Sequence, residues 1–132
     1  MKFKDEQHKE FYENCIKKAK KDDCYRRALF FVLGLSQNCA DNIDSLYDFE
    51  ENYILPEDLG KHEWITETDA QLIRLAFNLY GDNAPTAFGI ENSDDKALEL
   101  SQYLTTSIFR GLDSDLMEQC FEGIRIRFMH VR

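Results

Sequence analysis

Five carboxylates, Asp41, Asp44, Asp48, Glu50 and Glu51, fall within eleven residues, and the aromatic residues Phe49, Tyr53 and Trp64 stand among or soon after them. Carboxylate oxygens suit two kinds of chemistry: they ligate hard divalent cations, or they accept charge-assisted hydrogen bonds from lysine and arginine. Asp41, Asp44 and Asp48 recur at i, i+3 and i+7, a spacing that places three side chains on one helix face, where carboxylates repel one another. That repulsion calls for a cation or a basic partner. The plain alternative is a solvated face with Ile43, Leu46 and Tyr47 turned inward. The segment does not match a calcium-binding loop. Rigid aromatics beside charge are what protein interfaces use as anchors, so Asp41, Asp44, Asp48, Glu50, Glu51, Tyr53 and Trp64 are the candidate partner-binding residues. The competing role for Tyr53, Phe49 and Trp64 is to pin a loop to the core.

An enzymatic reading needs more than carboxylates. His62, beside Lys61, Glu63 and Trp64, is the best placed of three histidines to act as a base, but no nucleophile or orienting partner accompanies it in sequence. His8 falls at the edge of an apolar helix face, and His130 lies far along the chain. The six glycines are scattered singly, so there is no phosphate-cradling loop. GxSxG and HExxH are absent, Thr66 standing where the second histidine of HExxH belongs. The alternative to a binding protein is therefore a metal-dependent hydrolase built on Asp44, Asp48, Glu50 and His62. A structural homodimer is a third reading. No catalytic residue, metal or cofactor is assigned. Of the four cysteines, Cys15, Cys24, Cys39 and Cys120, three fall at apolar-periodic positions, as buried thiols do, and none forms a CxxC pair.

The net charge of -9 is unevenly spread. Residues 1–21 carry seven lysines against four carboxylates, whereas residues 41–69 carry ten carboxylates against one lysine. Such acidity repels phosphate backbones and anionic membranes and points to a basic protein partner rather than to nucleic acid, for which only the N-terminal lysines are suited. No apolar run is long enough to span a bilayer, and no secretory leader is visible in MKFKDEQHKEF, so a cytoplasmic location is expected.

Apolar periodicity supplies the elements that must position these groups. With 43% hydrophobic residues, ten Phe and six Tyr, the chain carries enough apolar material to fold as one domain over residues 1–132. A first amphipathic helix runs from Asp5, its N-cap, to Lys20. A second, Asp22 to Leu35, is apolar almost all round apart from Arg26 and Arg27, the pattern of a central helix. A short third helix covers Cys39 to Tyr47, followed by an ordered loop pinned by Phe49, Tyr53, Ile54, Leu59 and Trp64. Thr68 and Gln71 read as a capping box opening the helix Asp69–Tyr80, with Gly81 its stop. After a loop containing Asp82, Pro85 and Gly89, Ser93 caps a helix to Leu104, and Asp113 or Ser114 caps a last one reaching Phe128. Arg125 and Arg127 on that helix face different directions. The fold class is all-α, with five or six helices and a long ordered loop between the third and fourth.

The stretch KFKDEQHKEFYENCIKKAKKDDCYRRALFFVLGL, residues 2–35, together with RLAFNLYG at Arg74–Gly81, resembles a family of small uncharacterised bacterial proteins, a domain of unknown function common in prophages and other mobile elements. The resemblance extends over residues 47–81 and around Phe121–Phe128. It implies a setting in which accessory proteins bind host or defence proteins, an acidic surface standing in for a nucleic-acid backbone.

Overall fold

Helix α2, Cys24–Leu33, is the element around which the others are arranged. The computed structural model describes residues 1–57, 59–85 and 93–129, the side chain of Ser93 excepted, so Asp58, Gly89 and His130 lie outside the described residues. Every residue from Ala28 to Leu33 is 0% exposed, which requires neighbours on all sides of the helix. Those neighbours are α1 (Glu6–Ala19), α4 (Glu67–Gly81) and α7 (Ser114–Phe128), while α4 also packs on α3 (Gln37–Asp41), α6 (Thr105–Ile108) and α7. Helix α5, Ser93–Ser101, lies in sequence between α4 and α6. The fold is mainly helical, as the sequence predicts, with a small two-stranded antiparallel sheet added: β1 (Tyr47–Asp48) pairs with β2 (Tyr53–Ile54). Among the described residues no helix is long and apolar enough to cross a membrane.

Caps decide where the helices begin. Asp5 accepts from the His8 amide, Asp23 from Arg26 and Asp113 from Leu116, each satisfying an orphan donor of a first turn. Helix α4 opens two residues earlier than predicted, on a reciprocal box between Thr66 and Asp69 rather than Thr68 and Gln71. Asp69 prevails because its buried carboxylate also receives Ser36 Oγ at 2.6 Å and Asn38 Nδ2 at 2.9 Å, tying the start of α3 to the start of α4. Gln71 is used elsewhere, donating to the carbonyls of Ser107, Ile108 and Arg110. At the far end Gly81 remains helical and Asp82 takes the left-handed position at φ 56°, its carboxylate 2.6 Å from Arg127. The predicted helix to Leu104 is divided: α5 stops at Ser101, and Leu104 is extended at ψ 144° before α6. Arg74 grips the buried Glu99 carboxylate with two bonds of 2.8 and 3.0 Å and so fixes α5 against α4.

The predicted third helix is the largest departure. It begins at Gln37 on the Ser36 cap, ends at Asp41, and gives way to a tight 3-10 turn at Ile43–Ser45 and then to β1. Asn42 ends it, its side chain donating to the Asn38 carbonyl at 2.8 Å in place of a further turn. Asp41, Asp44 and Asp48 therefore do not share a helix face.

Two close approaches need glycine. A Cβ on Gly34 would meet His8 and Phe11 at 2.7 Å, and one on Gly123 would meet Val32 Cγ2 at 2.5 Å, so α1 and α7 each lie against α2 where no side chain intervenes. Gly123→Ala is expected to destabilise by about 1–2 kcal/mol in a denaturant titration, because overpacking outweighs the gain of about 1 kcal/mol in helix propensity. In a Val32→Ala background the same change becomes neutral or stabilising, and an unchanged cost there would sink the contact argument.

Burial alone would raise the Asp69 carboxyl, but the Ser36 hydroxyl, the Thr66 amide and the Asn38 amide outweigh it and hold it below its ordinary value of 3.8. Its contribution is thus present above pH 3.8 and lost as pH falls through the lower folded value. Asp69→Asn is expected to cost about 2 kcal/mol near neutrality. It should also reduce the loss of stability seen on acidification below that point; a titration identical to wild type would refute the assignment.

Candidate functional site

The hairpin at 47–54 is the place where the sequence-selected residues and the interior meet. Its register, Tyr47 opposite Ile54 and Asp48 opposite Tyr53, puts Tyr47 and Ile54 into the core and leaves Tyr53 54% exposed. The Asp48 carboxylate is the turn's own cap, accepting from the amides of Glu50 at 2.9 Å and Glu51 at 3.1 Å, while its carbonyl accepts from Asn52 at 2.7 Å. Asn52 closes the turn in the left-handed region at φ 60°, which asparagine tolerates better than most residues.

What holds that turn in place is Arg26. The guanidinium spends its donors in four directions: Nε to Tyr47 Oη at 3.1 Å, one terminal nitrogen to Asp23 at 2.7 Å, and the other to the Asn52 carbonyl at 3.0 Å and Tyr80 Oη at 3.3 Å. Tyr47 in turn donates to the Asn52 side chain, and Tyr80 donates to the Asn52 carbonyl at 3.3 Å. Burial opposes the charge on Arg26, but Tyr47, Tyr80 and Asp23 more than restore it. Burial also raises both phenols, that of Tyr80 to about 12, so they serve as neutral donors and not as bases. No buried side-chain polar atom among the described residues lacks a partner.

The candidate residues are placed unequally. Asp41 accepts from Gln37 at 2.7 Å, and Asp44 stands 3.5 Å from Lys18, whose ammonium also lies 4.5 Å over the Phe49 ring. Glu50 and Glu51 are exposed on the turn, and Tyr53 sets its ring edge-on to Tyr80 at 5.6 Å. Trp64 is a loop pin, half-buried against the core with the His62 ring 6.1 Å away. The hairpin therefore joins Asp48, Glu50, Glu51 and Tyr53. Asp41 and Asp44 lie on the segment leading into it. Among the described residues no three His, Cys, Asp or Glu side chains are grouped as metal ligands would be.

Sequence reasoning passed over Arg26, Asn52 and Tyr80. The one local signal was Asp23 three residues before Arg26, a spacing that lets a helix cap also hold a guanidinium. Other reactive groups are shielded. Cys15, Cys39 and Cys120 are buried and pushed up to about 12 by desolvation, while Cys24 is half-buried. Chemically, the arrangement offers a rigid turn with two exposed carboxylates and an exposed phenol beside them. Ion pairing, hydrogen bonding and aromatic packing are within its means.

The chain belongs to the family of unknown function DUF6075, whose description matches residues 1–131. No curated protein and no solved structure matches it.

Replacing Arg26 by methionine keeps much of the volume but leaves Asp23, two phenols and the Asn52 carbonyl without their common donor. The expected cost is about 3 kcal/mol in equilibrium denaturation. Hydrogen-exchange protection at Asn52 and Tyr53 should fall further than in α7. A change within about 0.5 kcal/mol would show that the guanidinium is not what holds the hairpin.

Proposed function

We propose that this chain is a non-enzymatic binding protein of a phage or other mobile element, and that its acidic hairpin engages a basic, nucleic-acid-handling host or defence protein. The observation that carries the reading is Tyr53, 54% exposed beside Glu50 and Glu51 on a turn already fixed from within by Arg26. A surface that is ordered before binding loses less conformational entropy on association, so its contacts convert more fully into affinity. The carboxylates suit lysine and arginine side chains, the phenol supplies an aromatic anchor, and the net charge of -9 steers a cationic partner inward. The mobile-element setting comes from the resemblance of residues 2–35 and 74–81, and it makes a protein that ordinarily grips nucleic acid the natural target of an acidic mimic.

The test is capture from a host lysate, followed by calorimetry on the purified partner. A basic nucleic-acid-handling protein should be retained, released by salt and displaced by duplex DNA. Glu50→Gln with Glu51→Gln should weaken binding about tenfold, roughly 1.4 kcal/mol, and flatten its salt dependence. Tyr53→Ala should cost about 1–2 kcal/mol without altering that dependence. Asp41→Asn with Asp44→Asn should change affinity little, since Gln37 and Lys18 already engage those groups. Retention indifferent to the hairpin variants, or a partner without a basic surface, would overturn the proposal.

A further inference from the structure

One histidine is central to the way the segment Met1–Lys4 is fastened to the helices. His8 is 2% exposed, and its Nε2 lies 2.7 Å from the Phe31 carbonyl oxygen, which can only accept. Nε2 therefore carries the proton and Nδ1 is bare, and Nδ1 duly accepts from the Lys4 amide at 3.0 Å. Asp5, the N-cap of α1, accepts from the His8 amide at 2.8 Å, while the His8 ring serves the amide of Lys4, the residue before the cap. The other ties of the segment are few: the Lys2 amide to Glu122 at 2.7 Å and Lys4 Nζ to the Leu35 carbonyl at 3.1 Å. Phe3 fills an aromatic cradle whose ring centroids lie 5.3 Å away at His8 and Tyr12 and 5.8 Å away at Phe31.

We propose that His8 is a proton-operated latch: neutral, it holds Met1–Lys4 in place; protonated, it turns its Nδ1–H against the Lys4 N–H and releases the segment, uncovering the cradle of Tyr12 and Phe31. The proposal uses none of the hairpin residues. Protonation sets two donors facing each other across a distance that needs one acceptor. The segment yields rather than the imidazole, because a charged ring binds the Phe31 carbonyl more strongly and is held against Phe31 at 4.5 Å, whereas Lys2 and Lys4 are exposed. Protons have a route, since His8 lines a cleft of about 190 Å³ with Lys4, Asp5, Gln7, Gln37 and Asp41.

The charges around the ring set the direction. Burial is the largest influence and holds His8 below its ordinary 6.5; Lys4 adds to it, while the Phe31 carbonyl and Asp5 oppose it. From α3, Asp41 faces the same cleft; α2 presents the Phe31 carbonyl and Gly34; Glu122 and Arg125 of α7 border the released segment. The neutral ring's contribution is present above pH 6.5 and is lost as pH falls below it toward the lower folded value. Release and protonation are linked reciprocally, so loosening the segment must make His8 easier to protonate.

The experiment is NMR on the full chain from about pH 8 to about pH 5, following the His8 ring, the backbone dynamics of residues 2–4 and the core amides of α2. Residues 2–4 should become mobile with the midpoint of His8 itself, below 6.5, while the α2 amides stay unchanged. His8→Gln can donate to Phe31 and accept from Lys4 but does not titrate, and should keep the segment ordered throughout. Phe3→Ala should free the segment at neutral pH and raise the His8 midpoint. The proposal is overturned if the segment ignores His8, if the midpoint is abolished by Glu122→Gln instead of His8→Gln, or if His8 protonates only as the core unfolds.

Discussion

A buried guanidinium must find acceptors on every one of its nitrogens, and the arrangement around Arg26 follows from that requirement. Its partners come from four places in the chain: the α2 cap at Asp23, β1 at Tyr47, the turn at Asn52 and the end of α4 at Tyr80. A strand pair of two residues each is far too short to be stable alone. Here the Asn52 carbonyl receives both Arg26 and Tyr80, so the turn is fastened from inside rather than by its own ladder. The left-handed Asn52 belongs to the same requirement, as it orients that carbonyl toward the guanidinium. A hydrophobic substitute would give comparable burial but would not dictate the turn's position. Specificity of placement is what the polar network adds.

The second constraint is the complete burial of α2 from Ala28 to Leu33. A helix covered on every side must let its neighbours come close, and Gly34 and Gly123 are the two points where the approach leaves no room for a Cβ. At Gly34 the neighbour is His8, so the helix crossing that brings α1 onto α2 also delivers an imidazole to the Phe31 carbonyl. Core packing and the bonds of the His8 ring are consequences of one crossing. The same approach explains why His8 is interior rather than at the rim where its helical period alone would set it.

Local physics was legible and long-range polar physics was not. Asp5, Asp23 and Asp113 are caps because each precedes an amphipathic run, a relation visible within four residues. Thr66-x-x-Asp69 is as good a capping box as Thr68-x-x-Gln71; only the approach of Ser36 and Asn38, some thirty residues back, decides between them. The Asp41, Asp44 and Asp48 spacing imitates a helix, but the interruption at Asn42 and the hairpin after it depend on Tyr47 reaching Arg26. Of the candidate site, the exposed positions Glu50, Glu51 and Tyr53 were readable as polar or aromatic residues in a loop. Trp64, read as either anchor or pin, packs against the core, and no local pattern distinguishes those two roles.

Net charge and available charge are different quantities, and the difference bears on what an acidic protein can recognise. Lys18 reaches from α1 to Asp44 and over Phe49, and the end of α1 also sets Lys20 and Lys21 beside Glu50 across an open groove. The end of the basic first segment thus lies against the acidic middle one, and part of the charge of Asp44 and Glu50 is offset within the molecule. Exposed pairs of this kind add little to stability, so their effect is chiefly on the field. Glu51, exposed at the next position of the turn, does not line that groove. On the reading of this chain as a binding protein, a partner would sense a narrow acidic point flanked by lysines. It would therefore gain most from basic side chains set against the turn itself, and less from those facing the lysine side.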